Sequence, residues 1–221
     1  MFHPWLILER CGSFADVPRE TSPLAGADPE TLVHPARLVV LSGASGSGKS
    51  TLVDRLLARG VFPLRRSVSA TTRAPRPGEV EGVSYHFMSR EEFEAVRDRG
   101  GFLESAEVHE NLYGTPLGPI RERLDAGTWV VLVIDVQGAL QVREVVAEAL
   151  LIFVHAPDRE TLEARLRARG TDDEATIQVR LANARREVAL ADRYDHQITN
   201  DDLDRAVDEL AAILTENHCG G

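Results

Sequence analysis

The sequence predicts an α/β fold in which a parallel β-sheet is flanked by helices. From Leu38 onward, short runs of valine, leucine and isoleucine alternate with amphipathic stretches. Continuous apolar runs are typical of parallel strands buried on both faces, and their alternation with helices is typical of a sheet covered by helices. A glycine-rich loop between the first strand and the first helix is the second observation that predicts this fold.

These runs also give the predicted elements in order. Each strand is a short apolar run, and each helix repeats apolar residues on one face. Asp158 is predicted to cap its helix, with Glu160 in the first turn. The predicted elements are strand 37–42, helix 50–59, strand 129–135, helix 138–149, strand 150–155, helix 158–168, helix 173–193, strand 196–199 and helix 202–215.

Residues 67–123 interrupt this alternation. Prolines and glycines there separate short alternating pieces such as Val83–Phe87, which is typical of hairpins and antiparallel pairing. One short helix is predicted inside the segment, because Ser89 followed by Glu92 is a capping-box pattern. We therefore expect an inserted β-rich lobe.

Composition and charge exclude several classes of protein. The formal net charge of −10 argues against general nucleic-acid binding, which requires a basic surface. The apolar residues 1–8 are too short to span a membrane, and residues 1–36 are expected to be a loosely ordered or surface-packed extension. Cys11 and Cys219 have no metal-like or redox-like neighbours, which favours a reduced, cytoplasmic setting.

The glycine-rich loop carries the strongest chemical signal. Gly43, Gly48, Lys49 and Ser50 have the spacing of the phosphate-binding loop of nucleotide-using enzymes, and a strand and a helix flank them as that loop requires. Lys49 is expected to reach the β- and γ-phosphates, and Ser50 to ligate Mg²⁺. A flexible glycine–serine linker is the alternative, but the strand–loop–helix context favours a nucleoside triphosphate. The expected contacts are Gly43, Ala44, Ser45, Gly46, Ser47, Gly48, Lys49, Ser50 and Thr51.

Two arginines in the lobe suggest a second phosphate site. Arg73 and Arg76 flank a proline that restricts the backbone, so both guanidinium groups can face one phosphate. Ser69 and Thr71 add hydroxyl donors nearby. Arginines in a loop are more often simply solvated, and that alternative stays open on these residues alone.

Six motifs follow one another along the chain: the phosphate loop, Ser67–Arg76, Gly82–Phe87, Phe102–Glu104, Tyr113–Thr115 and Ile134–Gly138. This ordered set resembles guanylate kinase from about Arg37 to Leu214. The resemblance implies a phosphate-loop NTPase fold, a lobe that binds GMP, a helical lid, and Mg²⁺-dependent transfer of the γ-phosphoryl group of ATP to GMP, giving ADP and GDP. It also implies a core in 37–66 and 124–221, the lobe at about 67–123 and the lid at about 165–190.

The same resemblance implies roles for individual residues. Guanine presents two neighbouring N–H donors, and a buried carboxylate that accepts from both would disfavour adenine. The positions that match contacts to the GMP phosphate are Ser69, Arg73, Arg76, Tyr85 and Tyr113. Those that match contacts to guanine are Glu104, Thr115 and Asp135. Core packing, surface charge and helix capping are the plainer alternatives for the tyrosines and acids.

The resemblance extends to the donor side. Arg169 and Arg180 match the arginines that neutralise charge on the transferred group, with Arg165 as a supporting member, although on spacing alone such arginines are typical of solvated helix surfaces. Asn200 matches a loop on the adenine side. One position departs from the family: many members carry a second acid where this chain has Val133, so Mg²⁺ binding would depend more on Ser50 and Asp135.

Two other functions compete with the kinase assignment. A non-catalytic interaction module of the same family typically lacks the phosphate loop or the lid arginines, which are present here. A phosphate-loop kinase for another acceptor, such as a ribose bisphosphate, is disfavoured by Tyr85, Glu104, Tyr113 and Thr115. The sequence leaves open whether dGMP is also an acceptor and whether the protein is a monomer or a small homo-oligomer.

Overall fold

A computed structural model describes residues 32, 37–108, 110–168, 170 and 173–218. Within this part the chain forms two compact units. One contains Val68–Gly118, and the other contains the described residues up to Ser67 and from Pro119 onward. The predicted extension 1–36, apart from Leu32, lies outside the described residues, as do Arg169, Cys11 and Cys219.

The described elements alternate between strands and helices. The strands are β1 (Leu38–Ser42), β2 (Leu64–Arg66), β3 (Ala70–Thr71), β4 (His86–Phe87), β5 (Phe102–Val108), β6 (Asn111–Pro116), β7 (Trp129–Val133), β8 (Leu150–His155) and β9 (His196–Thr199). The helices are α1 (Lys49–Arg59), α2 (Arg90–Asp98), α3 (Leu117–Asp125), α4 (Val136–Val145), α5 (Arg159–Ala168), α6 (Glu174–Val188) and α7 (Leu203–His218).

The second unit is built on a parallel sheet of five strands, in the order β2-β7-β1-β8-β9. The central strand β1 is buried along its whole length, as its uninterrupted apolar sequence requires. Helix α1 buries Leu52, Val53 and Leu56, and α7 adds Val207 and Leu210 to the same core. The predicted parallel sheet flanked by helices is therefore confirmed, and β8 and β9 have the predicted bounds.

The first unit contains a sheet of four strands, in the order β4-β3-β6-β5. Strands β5 and β6 form an antiparallel hairpin, and α2 packs Phe93 against Phe102 with ring centroids 4.4 Å apart. The capping box of α2 is confirmed, because Ser89 Oγ accepts from the Glu92 amide and Glu92 Oε2 accepts from the Ser89 amide.

Three local predictions were wrong. Strand β4 pairs in parallel with β3, so Val83–Phe87 is not an antiparallel hairpin. Val83 and Ser84 lie in a turn, and Tyr85 forms an isolated parallel bridge with Glu81. A second helix, α3, begins at Leu117, where only one helix was expected. Helix α6 ends at Val188 and a short 3₁₀ turn at Ala191–Arg193 follows, while α7 continues to His218. None of the described helices is long and apolar enough to cross a membrane.

Candidate active site

The loop between β1 and α1 lies close against the rest of its unit. Gly43 and Gly48 have φ angles of 135° and 95°, a region that side chains other than glycine rarely adopt. A Cβ atom on Gly43 would lie 2.3 Å from the carbonyl oxygen of Val154, and one on Gly48 would lie 2.2 Å from Asn200 Nδ2. The glycines are therefore required both by backbone conformation and by close packing under the loop.

Lys49 begins α1 and turns back onto the loop. Its Nζ donates to the carbonyl oxygens of Gly43 at 2.6 Å and of Ala44 at 2.9 Å. These contacts keep the ammonium group beside the loop that would surround a phosphate. Lys49 is also the only lysine in the sequence, which otherwise uses arginine for its basic side chains. Lysine-directed chemistry therefore addresses this one side chain.

Two side chains from other elements hold the loop backbone. Asn200, which is 5% exposed and follows β9, donates from Nδ2 to the carbonyl oxygen of Ser47 at 2.8 Å. Arg165 of α5 donates from Nη1 to the same oxygen at 3.4 Å, and from Nη2 to the Asn200 carbonyl oxygen at 3.0 Å. Both residues thus contact the phosphate loop directly.

Helices α5 and α6, the segment expected to form a lid, also pack against the loop. Ala44 is buried in an apolar cluster with Leu162, Leu166, Ile177, Leu181 and Ala184. Arg180 donates from Nη1 to Ser45 Oγ at 3.0 Å, so this predicted lid arginine touches the phosphate loop. Arg169, its predicted companion, lies outside the described residues.

An arginine stands between the two helices of this segment. Arg167 of α5 donates from Nη2 to Glu163 Oε1 and to Glu174 Oε1 of α6, both at 2.8 Å. The hydrogen bond from Arg167 is the main cause that lowers the pKa of the Glu174 carboxyl to about 2, and a hydrogen bond from Gln178 contributes. The pair links α5 to α6 at the protein surface.

Ser50 offers the expected hydroxyl oxygen for Mg²⁺ in the first turn of α1, where Thr51 follows it; both are exposed. Arg66 at the end of β2 donates to Ser50 Oγ at 3.4 Å and to Asp54 Oδ1 at 3.0 Å. Among the described residues, no three His, Cys, Asp or Glu side chains are grouped to hold a metal ion. This donor set fits Mg²⁺ bound through one or two protein oxygens together with substrate phosphates.

Asp135 follows β7 at the carboxyl edge of the sheet, and its Oδ1 accepts from the Gly138 amide at 2.8 Å as the N-cap of α4. Glu187 of α6 and Tyr194 were not predicted as site residues, yet both have electrostatic contact with Asp135. Burial raises the pKa of Glu187, and the charge of Lys49 opposes that rise. Burial also raises the pKa of Tyr194 to about 12. Glu187 thus interacts electrostatically with both Lys49 and Asp135, and only contacts between distant residues reveal this.

The other unit brings together three of the five predicted phosphate contacts of the acceptor, Arg73, Tyr85 and Tyr113. Arg73 donates from Nη2 to both carboxylate oxygens of Glu79, at 2.8 and 3.0 Å, and its guanidinium lies 5.6 Å from the centroid of the Tyr85 ring. A hydrogen bond also joins Arg73 to Tyr113. Glu79, which was not predicted, accepts from the Arg76 amide at 2.7 Å as well. The hydrogen bond from Arg73 lowers the pKa of Glu79.

The predicted base-reading pair lies in the same unit. Glu104 on β5 and Thr115 on β6 face each other in register, and both are buried. Thr115 Oγ1 donates to Glu104 Oε1 at 2.5 Å. The rings of Tyr85 and Tyr113 stand edge to face with centroids 6.0 Å apart. Ser69, half-buried, precedes β3, and Arg76 is exposed.

Comparison with known proteins gives one consistent result. A family model described as Guanylate kinase matches residues 35–217. The chain is 53% identical over 180 residues to a guanylate kinase from Nitratidesulfovibrio vulgaris, covering 81% of this chain and 86% of that protein. It is 50% identical over 185 residues to one from Rubrobacter xylanophilus, covering 84% and 96%. A crystal structure of guanylate kinase from Anaplasma phagocytophilum is similar, with a TM-score of 0.67 at 35% identity, covering 81% of this chain and 84% of that one.

Proposed function

The chain belongs to the guanylate kinase family, which transfers the γ-phosphoryl group of ATP to GMP, and we propose that it does so with the side chains described above. The observation that carries this assignment is the presence of a donor site and an acceptor site in one chain. The phosphate loop with Lys49 serves ATP, and the buried Glu104–Thr115 pair with Arg73 serves GMP.

On the donor side, the loop amides and Lys49 bind the phosphates of ATP. The lysine already lies beside the loop through its bonds to two loop carbonyls, so little reorganisation is needed when phosphate oxygens replace them. Arg180 and Arg169 would neutralise charge on the phosphoryl group during its transfer. Asn200 would belong to the same donor site. No covalent intermediate with the protein is needed, because positioning and charge neutralisation carry the reaction.

Ser50 would hold Mg²⁺, with Asp135 as a further acidic group at the same edge of the sheet. Bound there, Mg²⁺ would neutralise charge on the β- and γ-phosphate oxygens of ATP.

On the acceptor side, arginine and tyrosine side chains would bind the dianionic phosphate of GMP. Arg73 is oriented by Glu79, and Arg76, Tyr85, Tyr113 and Ser69 would complete the set. Glu104 would accept from the two N–H donors of guanine, with Thr115 orienting its carboxylate and Asp135 as a further contact. Adenine has no such donor pair, so AMP would not supply the two hydrogen bonds that guanine gives to this buried carboxylate.

These roles divide the chain into a core, a GMP-binding lobe, a lid and an extension. The core would be 37–66 and 124–221, the GMP-binding lobe about 67–123 and the lid about 165–190, with residues 1–36 as an extension. We propose a cytoplasmic location, a monomer or small homo-oligomer, and dGMP as a second acceptor. The formal net charge of −10 does not favour nucleic acid.

Product analysis tests the assignment. The purified chain is incubated with ATP, GMP and MgCl₂, and nucleotides are separated and quantified over time, with Lys49→Met as the comparison. We expect equal amounts of ADP and GDP from the wild type, formed orders of magnitude faster than from the variant. Formation of ADP without GDP would show hydrolysis in place of transfer and would contradict the proposal.

A further inference from the structure

The side chain of Asn200 is more restricted than a surface loop residue would be. Its backbone amide donates to the carbonyl oxygen of His155 at 2.9 Å, which fixes the chain where β9 ends beside β8. Its side chain is buried and donates to the carbonyl oxygen of Ser47, a residue 153 positions earlier in the sequence. The contact therefore joins the phosphate loop to a remote element of the same unit.

The Ser47 carbonyl matters because of the peptide bond that it belongs to. A trans peptide unit is planar, and its C=O and N–H bonds point in opposite directions. The hydrogen bond from Asn200 fixes the direction of the Ser47 oxygen, so it also fixes the direction of the Gly48 N–H. Amides of this loop are the groups that bind phosphate oxygens.

Packing and a second donor reinforce this contact. A Cβ on Gly48 would lie 2.2 Å from Asn200 Nδ2, so the amide occupies the space beneath the loop. Arg165 donates to both the Ser47 oxygen and the Asn200 carbonyl oxygen, and so closes a small network around the same peptide. The longer Arg165–Ser47 distance of 3.4 Å, against 2.8 Å for Asn200, makes Asn200 the main donor.

We propose that Asn200 is a positioning residue for the phosphate loop: it orients the Gly48 amide and thereby strengthens binding of the donor polyphosphate whatever base is attached. The inference rests on the proposed function only for its kinetic readouts. A contact with adenine, the role implied by family resemblance, would act on the base and would leave phosphate binding unchanged. The two roles therefore predict different results for a ligand that has phosphates and no base.

Two variants separate the roles. Asn200→Ala removes one buried hydrogen bond, and we expect polyphosphate binding to weaken about 3- to 10-fold. Asn200→Asp keeps the shape but sets a carboxylate oxygen against the Ser47 carbonyl and adds negative charge near the phosphates, so we expect weakening on the order of 100-fold. Asn217→Asp is the matched control, because Asn217 also donates to a backbone carbonyl, that of Ile213, but on α7.

The probe is inorganic tripolyphosphate, and Lys49 supplies the readout. Because the chain has one lysine, an amine-reactive reagent followed by peptide mapping reports the modification of Lys49 separately from the N-terminal amine. The concentration of tripolyphosphate that halves the labelling rate gives its affinity without any turnover. The KM values for ATP and GMP are measured on the same full-length proteins, with thermal unfolding as the check on folding.

The expected result is an equal fold-loss for tripolyphosphate protection and for the ATP KM in each Asn200 variant, with the GMP KM and the control unchanged. Weaker ATP binding with unchanged tripolyphosphate protection would overturn the inference in favour of an adenine contact. A lower unfolding temperature with unchanged ligand binding would overturn it in favour of a purely structural role. Failure of tripolyphosphate to protect wild-type Lys49 would also overturn it, because the loop would then not bind a polyphosphate that lacks a base. If Asn200→Asp does not fold, Asn200→Ala decides. Failure of the kinase assignment would show separately, as absence of GDP from the wild type.

Discussion

Replacing Glu104 with glutamine should reverse the base preference of the acceptor site. Thr115 Oγ1 donates to Glu104 Oε1 at 2.5 Å, and the same bond would hold the oxygen of a glutamine amide. The amide NH₂ would then stand where the second carboxylate oxygen stands now. With guanine, the amide NH₂ and the N–H groups of the base would both be donors, so no hydrogen bond would form. N1 of adenine, in contrast, is an acceptor and could bind that NH₂ group.

The size of the effect follows from the groups involved. A hydrogen bond to a charged group contributes about 1.5–3 kcal/mol, and Glu104→Gln removes one such bond and weakens another. We therefore expect kcat/KM for GMP to fall by a factor of about 10² to 10⁴, while kcat/KM for AMP rises. The pair is buried, so solvent does not replace the lost interaction.

The assay measures kcat/KM for GMP and for AMP by coupled ADP release, with the unfolding temperature recorded for each protein. Glu107→Gln is the matched control, because Glu107 lies on the same strand with its side chain 57% exposed and paired with Arg90 at 3.7 Å. That variant should keep the wild-type ratio. An unchanged GMP-to-AMP ratio in a folded Glu104→Gln protein would refute the assignment of Glu104 to the base.

Three further predictions concern the loop and the acceptor arginine. Lys49→Met should lower kcat by a factor of about 10² to 10⁴, because the positive charge beside the transferred phosphoryl group is lost. Arg55→Ala on the same helix, which removes a surface ion pair, should leave kcat unchanged, and near-normal turnover of Lys49→Met would contradict the role of the lysine. Gly48→Ala should raise the ATP KM and destabilise the fold by about 1–3 kcal/mol, because the new Cβ would clash with Asn200. Chemical denaturation measures the loss of stability, and a variant as stable as the wild type would contradict the close packing. The pKa of Glu79 is lowered, so its charged form stabilises the folded state at pH values above the ordinary pKa of 4.5, and this stabilisation is lost as the pH falls. Glu79→Gln should therefore be less stable than the wild type at pH 7, and the difference should shrink on acidification. A difference that stays constant with pH would contradict the ion pair.

The sequence predicts those parts of the fold that depend on neighbouring residues. Strands β8 and β9 were confirmed with their predicted bounds, because each is a short run closed by polar or turn-forming residues. The capping box at Ser89 was predictable for the same reason: its partner is Glu92, one helical turn away. These features could be predicted because the residues that determine them are close together in the sequence.

Features that depend on distant residues were missed. Strands β3 and β4 pair in parallel, and their short sequences contain nothing that distinguishes parallel from antiparallel pairing. Glu187 lies on a helix that carries many charges, and only its burial and the nearby charge of Lys49 set it apart. The contact of Asn200 with Ser47 spans most of the chain, so sequence reasoning could relate Asn200 only to a family motif.

The glutamate–arginine contact in the lobe stands between these cases. Glu79 lies six residues after Arg73, in a loop whose course neither periodicity nor turn chemistry determines. The sequence showed two arginines beside a proline that restricts the backbone, but no partner that would orient either side chain. In the structure that partner is the Glu79 carboxylate, which orients Arg73 and also accepts from the Arg76 amide.

The most direct test of the proposed activity is a comparison of acceptors. Coupled release of ADP is measured with ATP and MgCl₂, using GMP, AMP, UMP and CMP at equal concentrations. We expect rapid turnover with GMP and turnover near background with the other three, because only guanine presents the adjacent N1–H and 2-amino donors to Glu104. Equal turnover with AMP, or none with GMP in a folded protein that binds GMP, would contradict it.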